Sequence, residues 1–234
     1  MTTQTSNAAL YERTVGNIAA TLPGATAVFR KHKIDFCCNG DLTLESAARR
    51  RGIDPDELKT ALESLNEIGK AAAPATMDSD ALIEHIQAYY HGVYRRDLPE
   101  LIKLARKVEA VHREHPNVPA GLADTLRQIE SDLEQHMNKE EMTLFPAMRQ
   151  RTNIKLDGLI SELRNHHDDR SMQIHTVESL TNDFTLPEGA CRSWQALYVS
   201  AERFAEDLME HIHLENNVLF PRFAETESQA QTLE

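Results

Sequence analysis

Along most of this chain apolar residues recur at intervals of three and four, the period of a helix with one buried face. Val15, Ile18, Ala19 and Leu22 suit a first helix that Pro23-Gly24 stops, and residues 25–33 suit a short second one. Leu42-Thr43-Leu44-Glu45 opens a third that runs to about Arg51, and Asp54-Pro55 opens a fourth, with Asp as cap and Pro at the first helical position. Four longer stripes follow. Helix A, residues 80–113, carries Ile83, Tyr90, Tyr94, Leu98 and Leu101, with Pro99 expected to kink it near Leu98. Helix B, 122–149, carries Leu126, Ile129, Leu133, Met137 and Leu144, and should be perturbed at Pro146. Helix C, 156–181, carries Ile160, Leu163, Ile174 and Val177. Helix D, 190–224, carries Leu197, Phe204, Leu208, Ile212 and Leu219. No segment alternates with period two, so almost no sheet is expected. The fold class is all-α: a four-helix bundle over 80–226, preceded by a small helical N-terminal domain over 1–68. Residues 69–79 (GKAAAPATMDS from Gly69) read as a linker and the polar residues 1–9 as disordered.

The polar positions inside those stripes carry the chemistry. Helix B contains His136 and Glu140 and then Leu144-Phe145-Pro146; helix D contains His211 and Glu215 and then Leu219-Phe220-Pro221. Both read H-x-x-x-E-x-x-x-L-F-P, and residues four apart on a helix stand on one face. A lone histidine precedes each pair: His91 lies 45 residues before His136, and His167 lies 44 before His211. The second half is therefore a diverged copy of the first, each copy a helical hairpin, and two hairpins make a bundle. Counted from the interhelix loops, all six groups fall near mid-bundle. A carboxylate buried in such a stripe costs several kcal/mol unless paired or metal-bound. No Lys or Arg occupies a matching core position on B or D, so metal is the economical compensation. Four imidazoles and two carboxylates overfill one zinc site and offer too little oxygen for magnesium or calcium; they suit two irons.

The other histidines, Asp132 and the cysteines fall outside this set. His112 is 21 residues from His91, about 30 Å along a straight helix, and reads as a surface or supporting group. His85 reads as structural. His166 fits the stripe of helix C less well than His167, and His213 faces away from His211. Asp132, one turn before His136, either orients it or is solvated. Cys37-Cys38 are either inert buried thiols or redox thiols, with Lys31, His32 and Lys33 upstream; Cys191 opens helix D and reads as structural.

Composition narrows the setting. The chain is 41% hydrophobic and 26% charged, ordinary for a soluble globular protein. The formal net charge of −12 falls after residue 70, since residues 1–70 hold nine basic and nine acidic residues; nucleic acid, which wants a basic face, is not an expected partner. No membrane span and no signal peptide are expected, and three cysteines fit a reducing cytoplasm better than a disulfide framework.

Phe29-Arg30-Lys31 followed by Asp35-Phe36-Cys37-Cys38-Asn39-Gly40 resembles the small N-terminal domain of the iron–sulfur cluster repair di-iron proteins (the Repair of Iron Centres family). The remainder resembles that family's hemerythrin-like domain, with E-x-x-L-F-P and E-N-N-V-L-F-P marking helices B and D; the likeness spans about residues 10–225. The resemblance implies two irons with an oxo or hydroxo bridge. His91, His136, His167 and His211 would be terminal ligands, and Glu140 and Glu215 bridging ones. It also implies repair of clusters damaged by nitric oxide or peroxide, with damaged iron–sulfur proteins as partners and an N-terminal domain through which a homodimer could form. The set has one histidine fewer than oxygen-carrying hemerythrin, which argues against reversible oxygen carriage. Iron donation ranks first on this basis. Reduction of nitric oxide at the di-iron centre and redox sensing through a partner are the alternatives.

Overall fold

The computed structural model describes residues 10–67, 73–150 and 156–224. The stretch 1–9, expected to be disordered, residue 68 at the end of the N-terminal domain and residues 69–72 at the start of the linker lie outside the described residues. Among those described there is no strand, only an isolated bridge between Thr14 and Thr43, and the fold is all-α. No helix of the described residues is long and apolar enough to cross a membrane. The chain packs as two compact units, one from the described parts of Met1–Leu82 and Glu210–Glu234, the other from Ile83–Met209.

The first unit contains four short helices: α1 (Val15–Thr21), α2 (Ala25–Lys31), α3 (Leu44–Arg51) and α4 (Pro55–Glu63). Their ends follow local chemistry. The Thr14 and Thr43 hydroxyls accept the N–H groups of Asn17 and Ser46, and Asp54 accepts that of Asp56 ahead of Pro55, so each orphan donor at a helix start finds an oxygen. The core holds Val15, Ile18, Phe29, Phe36, Leu44, Leu58 and Leu62, and the C-terminal residues Val218, Leu219 and Phe220 are buried in the same unit. Phe36 lies against Phe29 (ring centroids 5.9 Å) and, edge to face, against His213 (5.5 Å).

His213 does point away from its neighbour's pair, but into this core rather than to solvent. Burial holds its imidazole down to about 4, although a backbone hydrogen bond at Phe36 works the other way. It is therefore neutral in the folded protein, while the unfolded chain protonates it near 6.5. Between these values the unfolded state binds more protons. Its contribution is whole above about pH 6.5 and is lost as pH falls toward 4, on the order of 3 kcal/mol. Urea midpoints at pH 7 and 4.5 should show this fall in the wild type and a shallower one in His213→Gln protein.

The second unit is a helical bundle. After α5 (Ser79–His85), which enters this unit at Ile83, the chain makes a π-helical turn, Ile86–His91, and then α6 (Gly92–Val111), a helix with Pro99 inside it; the departure from α geometry comes before the proline, at Ile86–His91. Next comes α7 (Leu122–Lys139), a second π turn (Glu140–Leu144) and α8 (Phe145–Gln150), so the perturbation expected at Pro146 begins six residues earlier. The bundle is completed by α9 (Asp157–Leu180) and most of α10 (Arg192–His213). Gly121, in the left-handed region at φ 92°, precedes α7 without a side-chain cap, and Glu109 of α6 accepts the Ala123 N–H instead. The interior is the sum of the stripes: Leu98, Leu101 and Val108 of α6; Leu126, Ile129 and Leu133 of α7; Leu163, Ile174 and Val177 of α9; Trp194, Leu197 and Phe204 of α10.

Candidate metal centre

Four of the residues singled out in the sequence meet inside the second unit. His91 ends its π turn, His136 sits in the last turn of α7, Glu140 opens the next π turn, and His167 lies mid-way along α9; all four are buried. Glu140 is the hub. Its Oε1 lies 3.1 Å from His136 Nε2, while its Oε2 lies 3.4 Å from His91 Nε2. The two oxygens of one carboxylate thus face two different imidazoles. His167 Nε2 is 3.1 Å from His136 Nε2, a separation that suits two neighbouring ligands of one cation. His136, Glu140 and His167 each offer a donor atom within 4.8 Å of the others.

The outer atoms of these rings are held by residues that periodicity did not reveal. His91 Nδ1 is 2.7 Å from Glu141 Oε1, so the ring donates from Nδ1 and leaves Nε2 turned toward Glu140. Arg95 in turn donates to Glu141 (2.8 and 3.2 Å) and Glu134 (3.0 and 3.2 Å). Burial works to raise the Glu141 carboxyl, but the bonds from Arg95 and His91 outweigh it and hold it below the usual range. Its bonds to Glu141, and then to Glu134, push the Arg95 guanidinium further up. Nothing in the sequence marks Glu141 apart from its place beside Glu140. Glu141→Ala is expected to weaken iron binding about 10–100-fold, the usual cost of losing such a support, as read by competition with a chelator.

His136 Nδ1 faces His166 Nδ1 at 3.4 Å. Burial, and then the charges of His136, Lys139 and Arg170, lower the His166 imidazole, which therefore stays neutral. Asp132 is partly exposed, and its bonds go to neighbours other than His136. It accepts from the buried Arg170 (3.0 Å), Gln173 (2.8 Å) and Gln128 (2.9 Å). Asp132, Arg170, Gln173 and Asp169 line an open cleft of about 470 Å³ that reaches His136.

The remaining pair lies in the first unit. His211 Nε2 and Glu215 Oε1 are 3.2 Å apart and both side chains are buried. Here too the carboxylate lies in the first residues of a π turn, Leu214–Leu219. The two Glu turns share one detail. The Phe145 N–H bonds the Glu140 carbonyl and the Phe220 N–H bonds the Glu215 carbonyl, each from five residues on and each just before a proline. π turns of this kind recur at functional sites.

The next two residues tie this turn to the cysteine loop. Asn216 donates to the Cys37 carbonyl (3.2 Å), and Asn217 donates to those of Phe36 and Cys37 (both 3.1 Å). Gly16 and Gly40 leave the room: a Cβ on either would lie 2.5 or 2.2 Å from Asn217 Oδ1. Inside the loop the Asp35 carboxylate accepts the Cys37 and Cys38 N–H groups and the Asn39 amide. The two thiols are 3.9 Å apart. A hydrogen bond with Cys38, burial and the Asp35 charge push the Cys37 thiol well up, so it stays protonated.

Residues 82–223 match the hemerythrin HHE cation binding domain, and residues 11–66 match a domain of unknown function, DUF542. Over 212 residues the chain is 45% identical to a protein of Dickeya chrysanthemi named iron–sulfur cluster repair protein YtfE, covering 90% of this chain and 96% of that one. A protein of the same name from Pectobacterium atrosepticum is 43% identical over 220 residues, covering 92% and 97%. The chain belongs to the iron–sulfur cluster repair family. As a member of that family it carries all six His and Glu positions within its hemerythrin domain, and Cys37-Cys38 within its DUF542 domain.

Proposed function

We propose that this chain holds two irons, bridged by an oxo or hydroxo group, on His91, His136, Glu140, His167, His211 and Glu215. We further propose that it hands iron to iron–sulfur proteins whose clusters nitric oxide or peroxide has damaged. The observation that carries the reading is Glu140: a fully buried carboxylate with each oxygen turned to a different imidazole, in a domain whose family binds cations. The donor chemistry fits iron, since imidazole and carboxylate together suit it. The names of the relatives supply the repair role. Bound iron would contribute a redox-dependent affinity, high in the ferric oxo-bridged state and lower in the ferrous state.

The chain's own groups do the rest. Glu141 and Arg95 keep the His91 ring in one tautomer and orientation, so the site keeps its shape between loadings. The cleft at His136 and His166 gives one edge of the site a polar opening for a cation, and the acidic balance of the chain favours cationic cargo. Within the N-terminal domain, residues 1–68, the half-exposed Cys38 is the thiol a partner would meet first, because Cys37 is buried. Three free cysteines accord with a reducing, cytoplasmic setting.

The test is reactivation of a nitric-oxide-damaged iron–sulfur enzyme by the iron-loaded protein. Wild type restores activity and His136→Ala protein does not; equal repair by both overturns the reading. Loss of nitric oxide over many turnovers per site, with a defined product, would instead mark a reductase.

A further inference from the structure

At the far end of α6 from His91, about 30 Å along the helix, stands a second cluster that the metal centre does not use. His112 closes α6, and its Nε2 lies 3.1 Å from the Sγ of Cys191, 79 residues away in sequence. Three features make this more than a chance contact. The Cys191 carbonyl accepts the Gln195 N–H (3.0 Å), so the cysteine stands at the start of the 22-residue α10, the positive end of that helix's dipole. Trp194, one turn on and buried, holds the imidazole: its ring lies 4.9 Å from that of His112 and 5.1 Å from that of His115. And Cys191 and His112 are both half-buried, within reach of a small reagent, whereas Cys37 is buried beside a carboxylate.

We propose that Cys191 and His112 form a thiol–imidazole pair that exchanges with small-molecule disulfides, a modification site separate from the iron ligands and from Cys37-Cys38. With its own proton on Nδ1, His112 accepts the thiol proton at Nε2. The sulfur attacks one sulfur of the disulfide; a new S–S bond to Cys191 forms as the old one breaks, and the leaving thiolate takes the proton back from His112. One disulfide and one protein thiol become one mixed disulfide and one free thiol, with no other oxidant. The pairing has the form of activated nucleophiles, a sulfur and a base in hydrogen-bond reach with the base held by a third group.

The test uses full-length, iron-loaded protein with Cys37→Ser and Cys38→Ser, which leaves Cys191 as the sole thiol, and 5,5′-dithiobis(2-nitrobenzoic acid) as the disulfide. At pH 7 we expect one thiolate released per chain, peptide mapping to Cys191, and a rate at least about tenfold above that of N-acetylcysteine. Adding His112→Gln should bring the rate down about tenfold while iron content and thermal midpoint stay put. A Cys191 rate at or below that of the free thiol overturns the proposal whether or not the His112 variant folds. An undiminished rate in a folded His112→Gln protein overturns it too.

Discussion

Glu140→Gln protein is expected to lose its iron and, without iron, to be more stable than the wild type. The substitution keeps the shape of a side chain that is 0% exposed and removes its charge. In the metal-free wild type that charge sits among imidazoles in a water-excluded interior, at a cost of several kcal/mol that geometry alone does not return. The glutamine should therefore raise the apo unfolding free energy by about 1–3 kcal/mol. With iron present the order reverses. A ligand at 100–1,000 times its dissociation constant adds about 3–4 kcal/mol to the wild type and nothing to a variant that cannot bind it. Elemental analysis should find about two irons per wild-type chain and well under one in the variant, in keeping with a carboxylate that bridges. Urea midpoints with and without iron should cross. A variant that keeps two irons would remove Glu140 from the site.

Gly40→Ala is the substitution outside the ligands with the largest expected cost. A methyl there would lie 2.2 Å from Asn217 Oδ1 and 2.8 Å from its Cγ, far inside contact distance. The asparagine cannot swing away freely, because it also bonds the Phe36 and Cys37 carbonyls and His213 Nδ1. Overpacking of this kind costs about 1–3 kcal/mol, and the lost hydrogen bonds about 1 kcal/mol each. Asn217→Ala alone should cost about 1–2 kcal/mol through those bonds. The double variant should cost clearly less than the two single changes together, since the methyl then occupies the space the amide has left. Denaturation of the four proteins measures the coupling. Strict additivity would mean that Asn217 does not clamp the loop. Gly16→Ala offers less relief, because its methyl also meets the Gly40 carbonyl at 2.9 Å, which is backbone.

The helices were legible because burial repeats: Leu126, Ile129, Leu133 and Met137 announce α7, and His136 and Glu140 stand out by interrupting that stripe. The histidines without a motif, His91 and His167, are legible only through the internal repeat, which sets them 45 and 44 residues ahead of their partners. What periodicity cannot convey is which surfaces meet. Glu141 and Arg95 look like ordinary solvated charges until α6 and α7 are placed side by side. His112 and Cys191 are far apart in sequence, and each alone has an unremarkable reading. His213, two residues past His211, is assigned to the opposite face correctly, but that face is buried against Phe36. Asp132 is drawn to Arg170 rather than to His136, because a guanidinium on the neighbouring helix offers a stronger partner than an imidazole on its own. Pro146 acts on the turn that precedes it, so the departure from α geometry starts at Glu140.

The two prolines bear on how a site could part with its cargo and persist. In α register the Pro146 ring would press on the Met142 carbonyl and the Pro221 ring on the Asn217 carbonyl. Each helix thus carries a one-residue frameshift that cannot easily heal, because the register that would erase it brings back that clash. The azimuth of each carboxylate is written into covalent structure and does not depend on an ion to hold it. For a protein proposed to give iron away, emptying would then leave a mould ready for refilling, with no helix to rewind between one delivery and the next.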